Sequence, residues 1–347
     1  MSEKRIPNYC PDCDESLTRR AFMATAGSAA LTAGALPIFA MPRHISAAEK
    51  GAPETVVKAL YDSLNEQQRT QICFNWDHVG PGQGLLRTRV SNNWNITKPT
   101  VNSDFYTNEQ RAMIREIFEG IIQPDWHARI DKQLKDDAGG FGQRQSIAIF
   151  GKPGGGKFEF VLTGRHMTLR CDGNSEPHVA FGGPIFYGHA AAGFNEPADH
   201  RGNVYWHQAL AANKIYTTLD GRQQKIALVE QLPAEEAVGF RAPDGKYPGI
   251  AVTDLSSDQR EALQKVLSLL LEPYRQSDRD EALGCLKTQG GLDRCSLAFY
   301  KAGDIGGDGV WDCWRVEGPS FVWYFRGAPH VHVWVHVADD AKVQLNA

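Results

Sequence analysis

His330-Val331-His332-Val333-Trp334-Val335-His336-Val337 alternates strictly between two kinds of side chain. On a β-strand, successive side chains point to opposite faces. Val331, Val333, Val335 and Val337 therefore share one face, and His330, His332, Trp334 and His336 share the other. Four valines in a row predict a face packed against a core. Three imidazoles then line a surface, a pocket or a groove on the other side. Same-face neighbours stand ~6.5–7 Å apart, which lets two imidazoles lean toward one metal ion.

Outward from this segment, strand character continues at 296–301, 310–317 and 321–326. The turns between are Gly-rich (303–309), Gly318-Pro319 and Gly327-Ala328-Pro329, the pattern of a meander. Farther upstream, 146–150 and 158–163 flank Gly151-Lys-Pro-Gly-Gly-Gly-Lys157 as a hairpin, and 166–171 continues as a further strand. Apolar residues recur at helical spacing over 53–69, 107–122, 204–219 and 257–271. Thr107-x-x-Gln110 and Ser256-x-x-Gln259 are capping boxes. Asn65-Glu-Gln-Gln-Arg69, Asn108-Glu-Gln-Arg111 and Ser257-Asp-Gln-Arg260 look alike, and shared capping chemistry accounts for that without a repeat. Helices set apart from runs of neighbouring strands predict an α+β fold: an antiparallel sheet, hairpin plus C-terminal meander, packed with several amphipathic helices. Residues 233–254, with Pro233, Pro243 and Pro248, read as a loop or weak boundary within one domain over 49–347.

The 347 residues are 42% hydrophobic and 22% charged, the usage of a globular protein rather than a disordered chain or membrane bundle. A net charge of −4 argues against a nucleic-acid partner, which favours a basic face. Residues 1–48 read as an address. Arg19-Arg20 with Phe22, then an uncharged alanine-rich stretch over 21–42, matches a twin-arginine export signal, with small residues Ser46-Ala47-Ala48 near a processing point. The stretch is weakly apolar and broken by Pro37, unlike a spanning helix. The expectation is export by the twin-arginine machinery to the periplasm or beyond, with no membrane association after processing. Cys10-Pro-Asp-Cys13 would leave with the signal. Five cysteines remain, an odd number; Cys285 and Cys295, flanking Gly290-Gly291, are the close pair that a disulfide would use.

His330 and His332 are the centre of a candidate metal site. His166 opens another predicted strand, and His336 shares the imidazole face. His189 begins a loop that carries Glu196, Asp199 and His200, and Glu317 ends a strand before the Gly-Pro turn. Neutral imidazole suits a divalent transition metal such as zinc, copper or iron. Three histidines with an open position make a catalytic-type site, serving hydrolytic or oxidative chemistry. The plainer alternative is a strand whose histidines pack or hydrogen-bond without metal. A second functional reading is a non-catalytic binding protein that holds an unknown small molecule or polymer (a saccharide, peptide or anion) on its Trp and Arg side chains, among them Arg165, Arg170, Arg315 and Arg326. His78 and His127 read as surface residues, and His207 as a helix residue without a ligand role. The Gly151–Lys157 stretch fails as a phosphate loop, because Phe158 replaces the magnesium-binding hydroxyl and a strand follows. No G-x-S-x-G elbow is present.

Gly164-Arg-His166-Met-Thr-Leu169, Phe181-Gly-Gly-Pro-Ile-Phe186, Trp314-Arg-Val-Glu317-Gly-Pro-Ser-Phe-Val-Trp323 and His330-Val-His332 together resemble an exported bacterial family designated domain of unknown function 3500, over roughly residues 55–337. The resemblance implies export and one continuous domain. It brings no ligand set to carry over.

Overall fold

Capping and hydrophobic periodicity place the first elements, and the same devices recur later in the chain. A computed structural model describes residues 52–193, 196–197, 199–241 and 245–343; the segment read as an export signal and the pair Cys10 and Cys13 lie outside them. The chain begins with helices Pro53–Ser63 (α1) and Glu66–Ile72 (α2), a short strand Cys73–Phe74 (β1), and a small hairpin of Val79–Gly80 (β2) and Gly84–Leu85 (β3). Helices Asn108–Ile121 (α3) and His127–Ala138 (α4) lead into strands Ser146–Gly151 (β4), Phe158–Gly164 (β5), Met167–Cys171 (β6) and Ile185–His189 (β7). The order then repeats. Trp206–Tyr216 (α5) and Gly221–Ala227 (α6) precede short strands Leu228–Val229 (β8) and Ile250–Ala251 (β9). Ser257–Leu271 (α7) and Gln276–Thr288 (α8) lead into Ser296–Tyr300 (β10), Cys313–Gly318 (β11), Phe321–Arg326 (β12) and Val331–Val337 (β13).

The fold is α+β, but its main sheet is mixed. Eleven strands run in the order β1-β4-β5-β6-β7-β13-β12-β11-β10-β8, with β9 paired to β10. The pairs β1/β4 and β10/β8 are parallel, and the other pairings in the sheet are antiparallel. The hairpin and meander expected from sequence as an antiparallel sheet are thus two wings of one larger sheet. They are joined by β7 pairing with β13, in a register that sets Ile185 opposite Val335.

Strand order about that seam is palindromic, so the likeness of the Asn/Ser-x-Gln-Arg segments goes deeper than capping. In the first half, the capping glutamines Gln68 and Gln110 hydrogen-bond each other; in the second, Gln223 and Gln259 do the same. Gly139-Gly-Phe-Gly-Gln-Arg-Gln-Ser146-Ile-Ala-Ile-Phe150 leads into β4, as Gly290-Gly-Leu-Asp-Arg-Cys-Ser296-Leu-Ala-Phe-Tyr300 leads into β10. Ser146 faces Thr163 and Ser296 faces Glu317, and each wing turns its next hairpin with two residues, Arg165-His166 and Pro319-Ser320. The two halves thus repeat one order of helices and strands about the seam.

The sheet has a helical face and an irregular face. Ile147, Ile149, Leu162, Tyr187, Phe299, Trp323 and the four valines of β13 pack with the helices in the largest core cluster. On the other face Phe186, Tyr300, Val322, Tyr324 and Trp334 pack with Val90 and Val238, while Ala148, Phe150 and Val161 pack with Leu86 and Ile96. Loops from 86–97 and 234–241 therefore cover that second face. Gly151 illustrates how sequence fixes the turns: its φ is +70°, and a Cβ there would sit 2.1 Å from the Lys157 carbonyl oxygen.

Other expectations need correction. The periodic stretch 53–69 is two helices, because Asn65 is extended and caps α2. Cys285 and Cys295 form no disulfide; all five described cysteines are free. Arg170 and Arg315 are not an anion clamp on the surface. Arg170 is buried and satisfied by Glu159 and the carbonyls of Arg87, Arg89 and Pro184, and the two terminal nitrogens of buried Arg315 donate to Glu317 and the Ala237 carbonyl. Trp126, Trp323 and Trp334 are core residues.

Candidate metal centre

Three imidazoles meet at the seam. The two-residue turn between β5 and β6 holds His166 in a left-handed conformation, φ 54°, which L-residues adopt only at a cost of ~1–3 kcal/mol. The turn into β13 supplies His330, and β13 itself supplies His332. Gly188 on β7 stands opposite His332. A Cβ on Gly188 would lie 2.3 Å from the Val331 carbonyl oxygen and 3.4 Å from the His166 ring, so glycine is what lets the turn and strand close together.

The three Nε2 atoms form a nearly equilateral triangle: 3.1 Å for His166–His330, 3.0 Å for His166–His332 and 3.0 Å for His330–His332. The rings radiate from it, with centroids 4.7–4.9 Å apart and interplanar angles of 55–79°. All three residues are buried. Among the described residues this is the group whose donor atoms lie close enough to hold one ion.

Two carboxylates fix the protons. His166 Nδ1 donates to Asp137 Oδ2 at 2.9 Å, and His332 Nδ1 donates to Glu235 Oε1. Burial acts to raise the Asp137 carboxyl, but the hydrogen bond and charge of His166 outweigh it and hold it below the ordinary range. Burial likewise opposes ionisation of Glu235, and His332 with Arg326 overcomes it, pulling that carboxyl down to about 2. Ionised carboxylates only accept, so Nδ1 carries a hydrogen in both rings, and Nε2 is the nitrogen each ring turns toward the triangle. Burial keeps His166 below its ordinary value despite Asp137, which disfavours a second proton there. Two Nε2 atoms 3.0 Å apart are held together by a proton or by a metal ion between them. The arrangement is that of a metal-ligating triad in which two of the three histidines, His166 and His332, are oriented by a carboxylate behind the ring.

Each carboxylate is in turn held by an arginine. Arg165 Nε lies 3.6 Å from Asp137 Oδ1, and Arg326 pairs with Glu235. Asp137 also accepts from Gln133 and the Ala190 amide, and Glu235 from Asn92. The site draws His166, Asp137 and Arg165 from the first half of the chain and His330, His332, Glu235 and Arg326 from the second.

The other residues singled out from sequence lie apart from the triangle. His189 spends both ring nitrogens, accepting from the Val204 amide and donating to Asp136, so no lone pair is left for an ion. His336 shares the face of His332 but stands four residues along the strand, ~13 Å away. Its Nδ1 donates to the Val238 carbonyl, and its ring stacks on Phe240 with centroids 3.8 Å apart. Glu317 lies two strands away on β11 and accepts from Arg241 and Arg315. Glu196 closes its own loop by accepting the Ala191, Ala192 and Gly193 amides, and His200 accepts from Gly202. His127, read as a surface residue, hydrogen-bonds the last carbonyls around α3.

Asp137 and Glu235 carry no local motif, standing 29 and 97 positions from their partners. Asp137 did leave one trace: Asp136-Asp137 ends α4, where the helix dipole disfavours negative charge. No curated protein and no solved structure matches the chain. A family model described as "Protein of unknown function (DUF3500)" matches residues 48–337, which takes in all the helices and strands above as well as the triad, and the chain belongs to that family.

Proposed function

We propose that the protein is a metal-dependent enzyme in which His166, His330 and His332 bind one divalent transition metal through Nε2 and leave a further position open. The observation that carries this is the buried triangle of three Nε2 atoms 3.0–3.1 Å apart, with carboxylates behind two of the rings. His166, His330 and His332 would hold the ion through these three nitrogens. Three neutral imidazoles suit zinc, copper or iron, and a bound ion supplies Lewis-acid activation of water or substrate there. The protein's own groups fix the rings, with Nδ1 of His166 and of His332 held by Asp137 and Glu235 and Nε2 turned inward.

Stoichiometric metal in the purified protein, lost in a His330→Ala, His332→Ala double variant that keeps its circular-dichroism spectrum, is the expected result. Protein that stays metal-free, with an unchanged melting temperature after incubation with zinc, copper and iron, overturns the reading. The twin-arginine pattern at Arg19-Arg20 and the family resemblance support a site of action outside the cytoplasm. A reporter fused behind residues 1–50 tests that, its export expected to stop when both arginines become lysine.

A further inference from the structure

We propose that the open position of this centre receives a small carboxylate-type oxyanion, and that Arg326 is the group that holds it. The inference rests on the metal reading above and adds the class of ligand. Charge is the first ground. Three neutral imidazoles bring none, and each carboxylate of the site is matched by its own arginine: Asp137 by Arg165, Glu235 by Arg326. The double charge of a divalent ion is then left without compensation among largely buried groups. An uncompensated charge in such surroundings is unfavourable by several kcal/mol. A monoanion in the open position relieves it, whereas a neutral or cationic ligand does not.

Position is the second ground. Arg326 stands directly opposite His332 in the β12/β13 register, so both side chains rise from the same face. The site is closed on one side, where the side chains of Asp137 and His166 are 0% and 3% exposed, and opens on the other, where those of Glu235 and Arg326 are 28% and 25% exposed. Among the described residues Glu235 is the hydrogen-bond partner of Arg326, and it takes one of the guanidinium's five N–H groups. The planar fork can keep Glu235 and present its other edge to a carboxylate, a geometry that lysine lacks.

The test uses full-length protein loaded with cobalt(II), whose visible bands report the ligands of the ion. Acetate and formate should shift the bands saturably, and the isosteric neutral acetamide should not. With cobalt held saturating for each protein, the acetate dissociation constant should rise at least tenfold in Arg326→Gln, and Arg326→Lys should fall between. Cobalt uptake with no response to acetate, or with an equal response to acetamide, overturns this proposal and leaves the metal reading standing. Acetate affinity within twofold of wild type in Arg326→Gln removes Arg326 from it. Failure to take up cobalt at all overturns both.

Discussion

A neutral imidazole has one hydrogen and two nitrogens, and here the carboxylates decide where it sits. Asp137→Asn replaces a pure acceptor by an amide that can also donate, so the His166 tautomer is no longer fixed. Loss of such a partner lowers metal affinity 10–100-fold in comparable sites. Competition with a chromophoric chelator should show a loss of that size, with little change in the far-ultraviolet spectrum. His336 gives a residue-scale prediction about acidity. Burial depresses its pKa to about 4, from an ordinary value near 6.5. A histidine with a lowered folded pKa contributes stability that is present above 6.5 and is lost as pH falls toward 4, because the unfolded chain takes up the proton first. Relative to His336→Asn, the wild-type protein should therefore lose about 1.4 kcal/mol per pH unit across that window. Parallel urea titrations at pH 7, 6 and 5 measure the difference, and a constant gap between the two proteins would refute it.

Among elements, β13 was legible and β7 was not. Alternating valine and histidine over 331–337 signals a strand by itself, and the structure buries the valines among the helices as that pattern requires. Ile185-Phe-Tyr-Gly-His189 carries no alternation and contains glycine, so nothing local marked it as the strand that joins the two wings. Helix α4 was hidden by its polarity: Ile130 and Leu134 are its large buried apolar residues, too few to set a visible period. The triad could be read only as a list of candidates, because the turn that delivers His166 and the strand that delivers His332 meet through β7. Gly188 is the pivot of that meeting. Gly188→Ala should push β7 off β13, lowering both the melting temperature and the metal affinity, with cobalt or zinc titration and a thermal scan as the two measurements. A variant that keeps both would show that the close approach is dispensable.

For the whole molecule, the palindromic sheet makes the centre a joint between two copies of one unit. Ser320 stands in the β11–β12 turn where His166 stands in the β5–β6 turn. Ser320 donates to the Ala338 carbonyl, and its amide is taken by Gln289, so the mirror position is stitched shut with neutral hydrogen bonds. Of the two turns, only the one at His166 brings an imidazole to the seam. An ion bound by both copies and absent from the unfolded chain stabilises the fold by about 2.7 kcal/mol at a hundredfold excess over its dissociation constant. Saturating zinc should therefore raise the melting point by roughly 4–5 °C in a unit of this size, and a chelator should reverse the gain. A shift below a degree would contradict a centre shared between the copies.

The strand at the middle of this sheet is also the one that leaves the ribosome after all the others. The first wing, with His166 and its aspartate, can take shape while the rest is still being translated, since domains assemble from the N-terminal side as synthesis proceeds. Until β13 emerges, β7 is an open edge and a single imidazole waits beside it. Assembly of the three-histidine group therefore waits for β13, and any nonsense mutation upstream of it removes two of the three imidazoles, the sheet's axis and the protection of β7 from aggregation in one stroke.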